Sequence, residues 1–257
     1  MLSLISPAKS QNFKDKAPIN FSQTPKFEKE IYQLVKILQE LAPDQIASLM
    51  SISDKLASEV YDKYAHFKKG FSESTAKQAL FTFNGDVYRG LDAATLAEKN
   101  AKFANDHLLM ISGLYGLLKP FDLIQPYRLE MGSKLDINGQ SLYQFWRSKL
   151  TAYLNELLSQ QKTNIVINLA SKEYSSAFEK KSINGSWIDV DFKEYKQGKY
   201  KTIGIFAKRA RGSMARFIID KEIDQVDKLI AFDRENYKFN EELSNPKHLI
   251  FIRNQHS

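Results

Sequence analysis

Four apolar segments of the chain end in short polar clusters, and these clusters carry the residues whose types and spacing could do chemistry. Each apolar segment has the length and composition of a short strand. The clusters, together with one later arginine, supply the candidate ligand-pocket residues Ser6, Lys9, Ser112, Tyr115, Arg128, Asn168, Ser171, Glu173, Tyr174, Lys208 and Arg211. With at least three cations and few acids, this set favours a phosphate, a nucleotide or a nucleic-acid backbone as the ligand.

The elements that must position these groups are strands of one sheet. Ligands of α/β sheets bind beyond the carboxyl ends of the strands, where the connecting loops converge. The strands predicted to precede the clusters are residues 2–6, 108–111, 164–169 and 200–207. If these strands lie parallel or nearly so, their polar clusters gather at one edge of the sheet. The groups that we expect to line one shared cleft are Ser6, Lys9, Arg128, Ser171 and Lys208.

The sequence excludes several familiar kinds of cofactor and metal site. The chain has no cysteine, which excludes disulfides, thiolate nucleophiles, Cys-bound zinc and Cys-ligated iron–sulfur clusters. Its four histidines are scattered and its acids show no ligand spacing, so we expect no metal site and no cofactor. Neither GxxxxGK(S/T) nor GxGxxG occurs, which excludes binding of ATP or NAD through those two motifs.

Positive charge is concentrated in residues 193–216. This segment has eight basic residues against one acidic residue, a net charge of +7, which equals the net charge of the whole chain. We predict that it contacts DNA phosphates, because recognition of a nucleic-acid backbone requires a localised positive field. The predicted DNA-binding residues of the segment are Lys193, Lys196, Lys199, Lys201, Lys208, Arg209, Arg211 and Arg216. The alternative is an ordinary solvated surface, and the local concentration of charge favours binding.

The fold class predicted from the sequence is mixed α/β (α+β). We expect a single compact domain, residues 1–257, with a central mixed sheet flanked by helices. Hydrophobic content is 43% and charged content 26%, which is ordinary for a globular protein, and 257 residues can bury a substantial core. No repeat or linker divides the chain. Because no segment has the pattern of a signal peptide or a membrane span, we expect a cytoplasmic protein without a membrane partner.

Six motifs give the chain a resemblance to a known family. They are ISPAK at 5–9, FNGDVYRGL at 83–91, SGLYGLLKPFDLIQPYRLEMG at 112–132, LYQFW at 142–146, NLASKEY at 168–174 and FAKRARGSMARF at 206–217. In this order, and spread over essentially the full length, they resemble the bacterial YaaA peroxide-stress family. The resemblance implies an unusual mixed α and β fold. It also implies a cytoplasmic protein that is made in response to hydrogen peroxide, limits damage from unincorporated iron and binds double-stranded DNA.

A helix-hairpin-helix element is also implied by the resemblance, and we place it near residues 96–125. The segment matched to its hairpin is 113–116, so Gly113 and Gly116 join the predicted DNA-binding residues. The residue pattern of this segment is also compatible with a second structure. Residues 108–111 have the pattern of a strand, and Pro120 leaves little room for a second helix.

Two classes of function follow from these observations, and the sequence does not decide between them. The first is a DNA-binding stress protein without turnover. The second is an enzyme that processes a nucleotide or a modified base in the strand-end pocket, with candidate residues Ser6, Lys9, Asn168, Ser171 and Glu173. A convergent pocket would favour the enzyme, and an exposed basic groove would favour the binding protein.

Each candidate residue also has a purely structural interpretation. Arg128 and Glu130 have the same parity in an extended segment, so they could pair only with each other. Gly113 and Gly116 are of a type found more often in turns than in phosphate-binding loops. Asn168, at the end of a predicted strand, could simply satisfy backbone groups. The sequence predicts no particular catalytic residue and no oligomeric state.

Overall fold

A computed structural model gives the fold and describes residues 1–196 and 198–254. The strands are β1 (Leu2–Ile5), β2 (Ser10–Gln11), β3 (Lys77–Gln78), β4 (Phe83–Asn84), β5 (Leu108–Ser112), β6 (Gly116–Leu118), β7 (Leu123–Ile124), β8 (Ile165–Asn168), β9 (Ser186–Lys196), β10 (Lys199–Lys201), β11 (Lys238–Phe239) and β12 (His248–Asn254). Eight of them form one sheet in the order β11, β12, β9, β8, β1, β5 and β6, with β10 paired to the end of β9. The others form two small pairs, β2 with β4 and β3 with β7.

Nine α-helices surround this sheet in the described part of the chain. They are α1 (Glu28–Gln39), α2 (Pro43–Met50), α3 (Asp54–Ala65), α4 (Ala79–Thr82), α5 (Asp86–Leu91), α6 (Ala101–His107), α7 (Leu142–Leu158), α8 (Lys172–Ser175) and α9 (Gly204–Asp220). Sequence signals fix several of their ends: Ser53 caps α3, and Ser141 caps α7 in a capping box with Gln144. Within residues 1–196 and 198–254, no helix combines the length and the apolar character needed to cross a membrane.

The centre of the sheet is parallel and covered on both faces. Strands β5, β1, β8, β9 and β12 run parallel to their neighbours, whereas β6, β10 and β11 are antiparallel additions. Every residue of β1 and β5 is buried. In a parallel sheet that is covered on both faces, side chains are buried on both sides of each strand, so no alternation of buried and exposed residues is seen. The predicted mixed α/β fold with a central mixed sheet is confirmed, and the buried apolar side chains form one core.

One of the predicted strands is wrong. The sequence predicts strands over 2–6 and 164–169, and β1 and β8 confirm both. It also predicts a strand over 200–207, but there β10 ends at Lys201 and α9 begins at Gly204. Within 200–207, Ile205 would be an inward residue of a strand, yet it is 56% exposed. The buried residues of this region are Ala207, Ala210 and Met214, whose spacing of three and four is helical. A helix is therefore the structure that buries this apolar face.

The helix-hairpin-helix element predicted near residues 96–125 is also wrong. Only α6 is an α-helix there, and it continues directly into β5. Residues 113–115 then turn the chain into β6, which pairs antiparallel with β5 from Met110 opposite Leu118 to Ser112 opposite Gly116. The buried apolar run at 108–111 is too short for a helix and completes the sheet beside β1, so the segment is a β-hairpin.

Candidate functional site

The carboxyl ends of β1 and β8 meet at one edge of the sheet. The two strands are parallel, with Leu4 opposite Asn168, so the residues that follow them emerge side by side. Ser6 and Ser171 are in direct contact: the Ser171 backbone N–H donates to the Ser6 Oγ at 2.9 Å, and the two Oγ atoms are 3.4 Å apart. The Tyr88 hydroxyl donates to the Ser6 carbonyl at 3.1 Å, which fixes the turn after β1. The strand-end arrangement thus brings these two serines together.

Glu130 is the centre of the charged group at this edge. Its Oε1 atom lies 3.1 Å from the Lys9 Nζ and 3.0 Å from the Arg128 Nη2. The side chains of Arg128 and Glu130 are mostly buried, at 14% and 16% exposure, whereas Lys9 is 66% exposed. The hydroxyl of buried Tyr64 donates to the Arg128 carbonyl at 2.6 Å and holds this backbone in place. One carboxylate oxygen therefore receives two cations, so the edge is less positive than the sequence predicts.

The pairing of Arg128 with Glu130 is incomplete. An arginine and a carboxylate commonly form two parallel hydrogen bonds, but here one bond forms, from Nη2 to Oε1. The Arg128 Nε and the Glu130 Oε2 are solvent-inaccessible and have no hydrogen-bond partner among the described residues. Buried polar groups without a partner are uncommon in native proteins and each requires an explanation.

A large cleft opens beside Glu130. Its volume is about 880 Å³, and it lies between helices α1 and α2 on one side and residues 130–136 on the other. Lys9, Glu130 and Glu173 line its polar side, and Glu173 Oε1 accepts the Gly132 N–H at 3.1 Å. The apolar lining comes from Ile37, Leu41, Leu49, Met50 and Leu135. The rest of the lining is polar and includes the carboxylates of Asp44 and Asp136, so the cleft has the volume of a small-molecule site and a wall of mixed polarity.

The five groups expected in one cleft are only partly together. Lys9 lines the 880 Å³ cleft, while Arg128 lies behind it and reaches it through Glu130. Ser6 and Ser171 bond to each other outside the lining. Lys208 is on α9, is exposed and is not among the lining residues that the structure describes.

Ser112 and Tyr115 build the β5–β6 turn rather than a pocket wall. Both side chains are fully buried. The Ser112 Oγ accepts the Tyr115 N–H at 3.0 Å and is 2.7 Å from the Tyr127 hydroxyl. The Tyr115 hydroxyl accepts the Gln125 N–H at 2.7 Å, and burial raises the pKa of this hydroxyl well above its ordinary value. Tyr174 is likewise buried, and burial together with nearby Glu173 raises its pKa.

Gly113 and Gly116, which the resemblance assigned to DNA, are packed inside the protein. The indole Nε1 of Trp146 donates to the Gly113 carbonyl at 2.8 Å. Gly116 has a φ of +73°, a left-handed conformation, and a Cβ there would lie 2.7 Å from the Trp146 ring. Both glycines belong to the contact between the β5–β6 turn and α7, with no surface left for a nucleic acid.

Asn168 connects β8 to β9. Its Nδ2 donates to the Asp189 Oδ1 at 2.7 Å, and its own Oδ1 accepts the Ala170 N–H at 3.0 Å. Burial alone would raise the pKa of Asp189. Hydrogen bonds from Asn168 and Trp187 and the charge of Lys180 outweigh burial and hold that pKa below its ordinary value. Asn168 therefore has a structural role that the sequence already offered as an alternative.

Arg211 belongs to a second charged group, on β9 and α9. Its Nη2 lies 3.2 Å from the Asp191 Oδ1, and the His248 Nε2 lies 2.9 Å from the Asp191 Oδ2. Sequence reasoning missed Asp191 and His248. The alternation of residues 187–192 could have indicated that Asp191 shares a face of β9 with Asp189. The partner on α9, twenty residues further along, could not be read from the local pattern.

The basic segment 193–216 does not form one surface. Lys196, Lys199 and Lys201 are exposed and share one face of the β9–β10 hairpin, because Lys196 is opposite Lys199 and Lys201 is opposite Glu194. Lys193 lies on the opposite face by the same alternation.

The arginines of the segment are engaged in internal contacts. Arg209 lies 3.5 Å from Glu235, and Arg211 is paired with Asp191. Arg216 is mostly buried, and its Nε lies 2.8 Å from the Asp220 Oδ1. The exposed positive charge of the segment therefore comes mainly from lysines. In the described residues, no group of three or more histidine or acidic side chains is placed to hold a metal ion.

Comparison with known proteins gives a consistent result. A family model described as "Peroxide stress protein YaaA" matches residues 1–243. The chain is 51% identical over 255 residues to a "UPF0246 protein" of Francisella philomiragia, and 50% identical over 255 residues to a "UPF0246 protein" of Francisella tularensis. Each alignment covers 98% of this chain and 100% of the relative.

Proposed function

The chain belongs to the peroxide stress protein YaaA family, and we propose that it binds double-stranded DNA in the cytoplasm and limits iron-dependent oxidative damage there. Family membership supports the stress-related role. The observation that supports DNA binding is the lysine face, which we define as Lys196, Lys199 and Lys201 on one side of the β9–β10 hairpin. All three are exposed, and none has a salt-bridge partner among the described residues.

The lysine face suits the phosphate backbone rather than the base edges. Lysine presents a compact, mobile charge that contacts phosphate without fixed geometry, whereas base readout relies mainly on side chains that form two fixed hydrogen bonds, such as those of arginine, asparagine and glutamine. The three lysines project from a two-stranded hairpin whose base is anchored: buried Glu194 is bonded to Arg253 at 3.0 Å. We therefore infer binding that depends strongly on salt and little on sequence.

Protection from iron follows from the same electrostatics. Duplex DNA carries a condensed layer of counterions, and a protein that neutralises phosphates releases them. Ferrous ions held by phosphates are counterions of this kind, so lysines on the backbone would displace them from the DNA. Peroxide would then react with iron at a greater distance from the sugar and the bases.

Two measurements test this proposal together. Fluorescence anisotropy with several duplexes of unrelated sequence should give similar affinities. A plasmid-nicking assay with ferrous iron and hydrogen peroxide should show fewer breaks when the protein is present. The matched variants are Lys196→Gln/Lys199→Gln/Lys201→Gln and, as a control with the same loss of charge at exposed helix positions, Lys29→Gln/Lys36→Gln/Lys55→Gln. The proposal is wrong if the protein does not bind duplex DNA, or if both triple variants protect as well as the unmodified protein.

A further inference from the structure

The unpaired atoms of Arg128 and Glu130 form a donor and an acceptor in the same ion pair. The Arg128 Nε–H can donate one hydrogen bond, and the Glu130 Oε2 can accept one, yet neither has a partner among the described residues. Both belong to side chains already joined by the 3.0 Å bond from Nη2 to Oε1. A ligand that satisfies both atoms must present an acceptor beside a donor.

We propose that a nucleobase enters the 880 Å³ cleft and, once the Lys9 side chain moves aside, presents a lactam edge to the ion pair behind it, with the ring carbonyl on the Arg128 Nε–H and the ring N–H on the Glu130 Oε2. Thymine, uracil, guanine and hypoxanthine carry this pair of groups. The apolar residues that line the cleft, among them Ile37 of α1, Leu41 of the α1–α2 connection and Leu49 of α2, provide a surface for the faces of the ring.

Other ligand classes fit this donor–acceptor pair less well. A phosphate has only acceptors, so it would satisfy Arg128 and leave the Glu130 oxygen unpaired beside another negative charge. An ammonium or amidinium group has only donors, so it would satisfy Glu130 and leave the Arg128 N–H unpaired. A lactam satisfies both the Arg128 N–H and the Glu130 oxygen. A ligand that lacks one of the two groups leaves a buried polar atom without a partner, so the site should discriminate strongly against such a ligand.

Lys9 controls access to this edge. A small pocket of about 10 Å³, room for about one water molecule, is lined by Lys9, Tyr127, Arg128, Glu130 and Tyr174. Lys9 and Glu130 also line the large cleft, so they form the wall that the two spaces share. Because the Lys9 side chain is 66% exposed on a flexible stem, it can swing outward and join them.

This assignment does not depend on the proposed binding of duplex DNA. A lactam base could come from a free nucleoside or nucleotide, or from an unpaired position in a DNA strand. The cleft chemistry is the same for both sources, and the experiment separates them.

The test is a calorimetric titration of the unmodified protein with thymidine and guanosine, each compared with its N-methylated form, 3-methylthymidine or 1-methylguanosine. Methylation removes the ring N–H that Glu130 would accept. We expect binding of the parent compounds to be stronger by roughly 10- to 100-fold, the value of a hydrogen bond to a charged group. A second arm replaces the nucleosides with a single-stranded thymine oligonucleotide and its 3-methylthymine equivalent. If methylation weakens binding of the nucleosides, the ligand is a free nucleoside or nucleotide. If methylation weakens binding of the oligonucleotide alone, the ligand is a base within a strand.

The variant that checks the assigned residue is Glu130→Gln, matched with Glu156→Gln, which removes an exposed carboxylate paired with Lys26. Glu130→Gln should weaken binding of the parent compound by roughly 10-fold or more, and Glu156→Gln should leave it unchanged. The comparison of methylated and parent ligands remains decisive if Glu130→Gln does not fold. The proposal is overturned if neither arm shows binding, or if the methylated ligands bind as tightly as their parents.

Discussion

Gly90 of α5 and Gly212 of α9 lie where the backbones of the two helices touch. A Cβ at Gly90 would be 2.0 Å from the Arg209 carbonyl oxygen, and a Cβ at Gly212 would be 1.7 Å from the Val87 carbonyl oxygen. The two glycines therefore allow an approach of the helices that any side chain would force apart. This approach fixes α9, and with it Arg209, beside the segment that follows β4.

Substitution of Gly212 by alanine should destabilise the protein. The added Cβ meets backbone atoms of α5, which cannot move without separating the helices, and overpacking of this kind costs about 1–3 kcal/mol or more. Chemical denaturation measures the destabilisation. Gly204→Ala is the control, because a Cβ there has open space around it at the first residue of α9. Equal free energies of unfolding for the two variants would contradict the tight crossing.

The buried carboxyl of Asp122 should make stability depend on pH. Burial raises its pKa to about 7, although hydrogen bonds from the Gln23 side chain and the Lys119 N–H act in the opposite direction. In the unfolded chain this pKa is about 3.9, so between the two values the folded state holds a proton that the unfolded state has lost. The stability that Asp122 contributes is therefore present at low pH and is lost as pH rises through about 7, with a slope of up to ~1.4 kcal/mol per pH unit.

Denaturation of the unmodified protein and of Asp122→Asn, from about pH 5 to about pH 8, measures this contribution. The unmodified protein should lose stability relative to the variant as pH rises, and the difference should level off above the folded pKa. A difference that is constant, or that grows with pH in favour of the unmodified protein, would show that the Asp122 carboxyl is ionised throughout.

Arg216 should act in folding and not in DNA binding. Its guanidinium bonds to the Asp220 carboxylate, to the carbonyls of Leu91 and Asp92, and to the hydroxyl and carbonyl of Thr95. We expect Arg216→Gln to lower the free energy of unfolding by about 1–3 kcal/mol, since the mostly buried guanidinium holds the 91–95 turn and Asp220 through several hydrogen bonds that the shorter, neutral side chain loses. The folded fraction should bind duplex DNA with an unchanged salt dependence. A clearly shallower salt dependence in a stable Arg216→Gln protein would return this residue to the interface.

The parts of the fold that follow from short-range pattern are predictable from the sequence. Strands β1, β5 and β8 are short apolar runs, and their parallel arrangement follows from continuous burial. The pairing of Arg128 with Glu130 follows from their parity in an extended segment. These features depend on residues that are close in sequence, so one stretch of chain contains the whole signal.

The remaining features depend on distant residues or on two competing patterns. Residues 203–207 have the alternating pattern of a strand, but the same residues also begin the apolar face of helix α9. The burial of Ala210 and Met214 favours the helix. Lys9 meets Glu130 from a distant part of the sequence, and only the folded sheet brings them together. The hairpin register likewise assigns Lys193 and Lys196 to opposite faces, which a sum of charges cannot show.

The salt dependence of duplex binding tests the proposed lysine face most directly. The equilibrium constant should be measured at several salt concentrations for the unmodified protein, for Lys196→Gln/Lys199→Gln/Lys201→Gln, and for the charge-matched control Lys29→Gln/Lys36→Gln/Lys55→Gln. If the lysine face binds phosphates, the slope of log K against log salt becomes shallower by roughly 0.9 for each phosphate that the first variant no longer neutralises, and it stays unchanged in the control. Equal slopes and equal affinities for all three proteins would remove the hairpin from the DNA interface and contradict the proposed mode of binding.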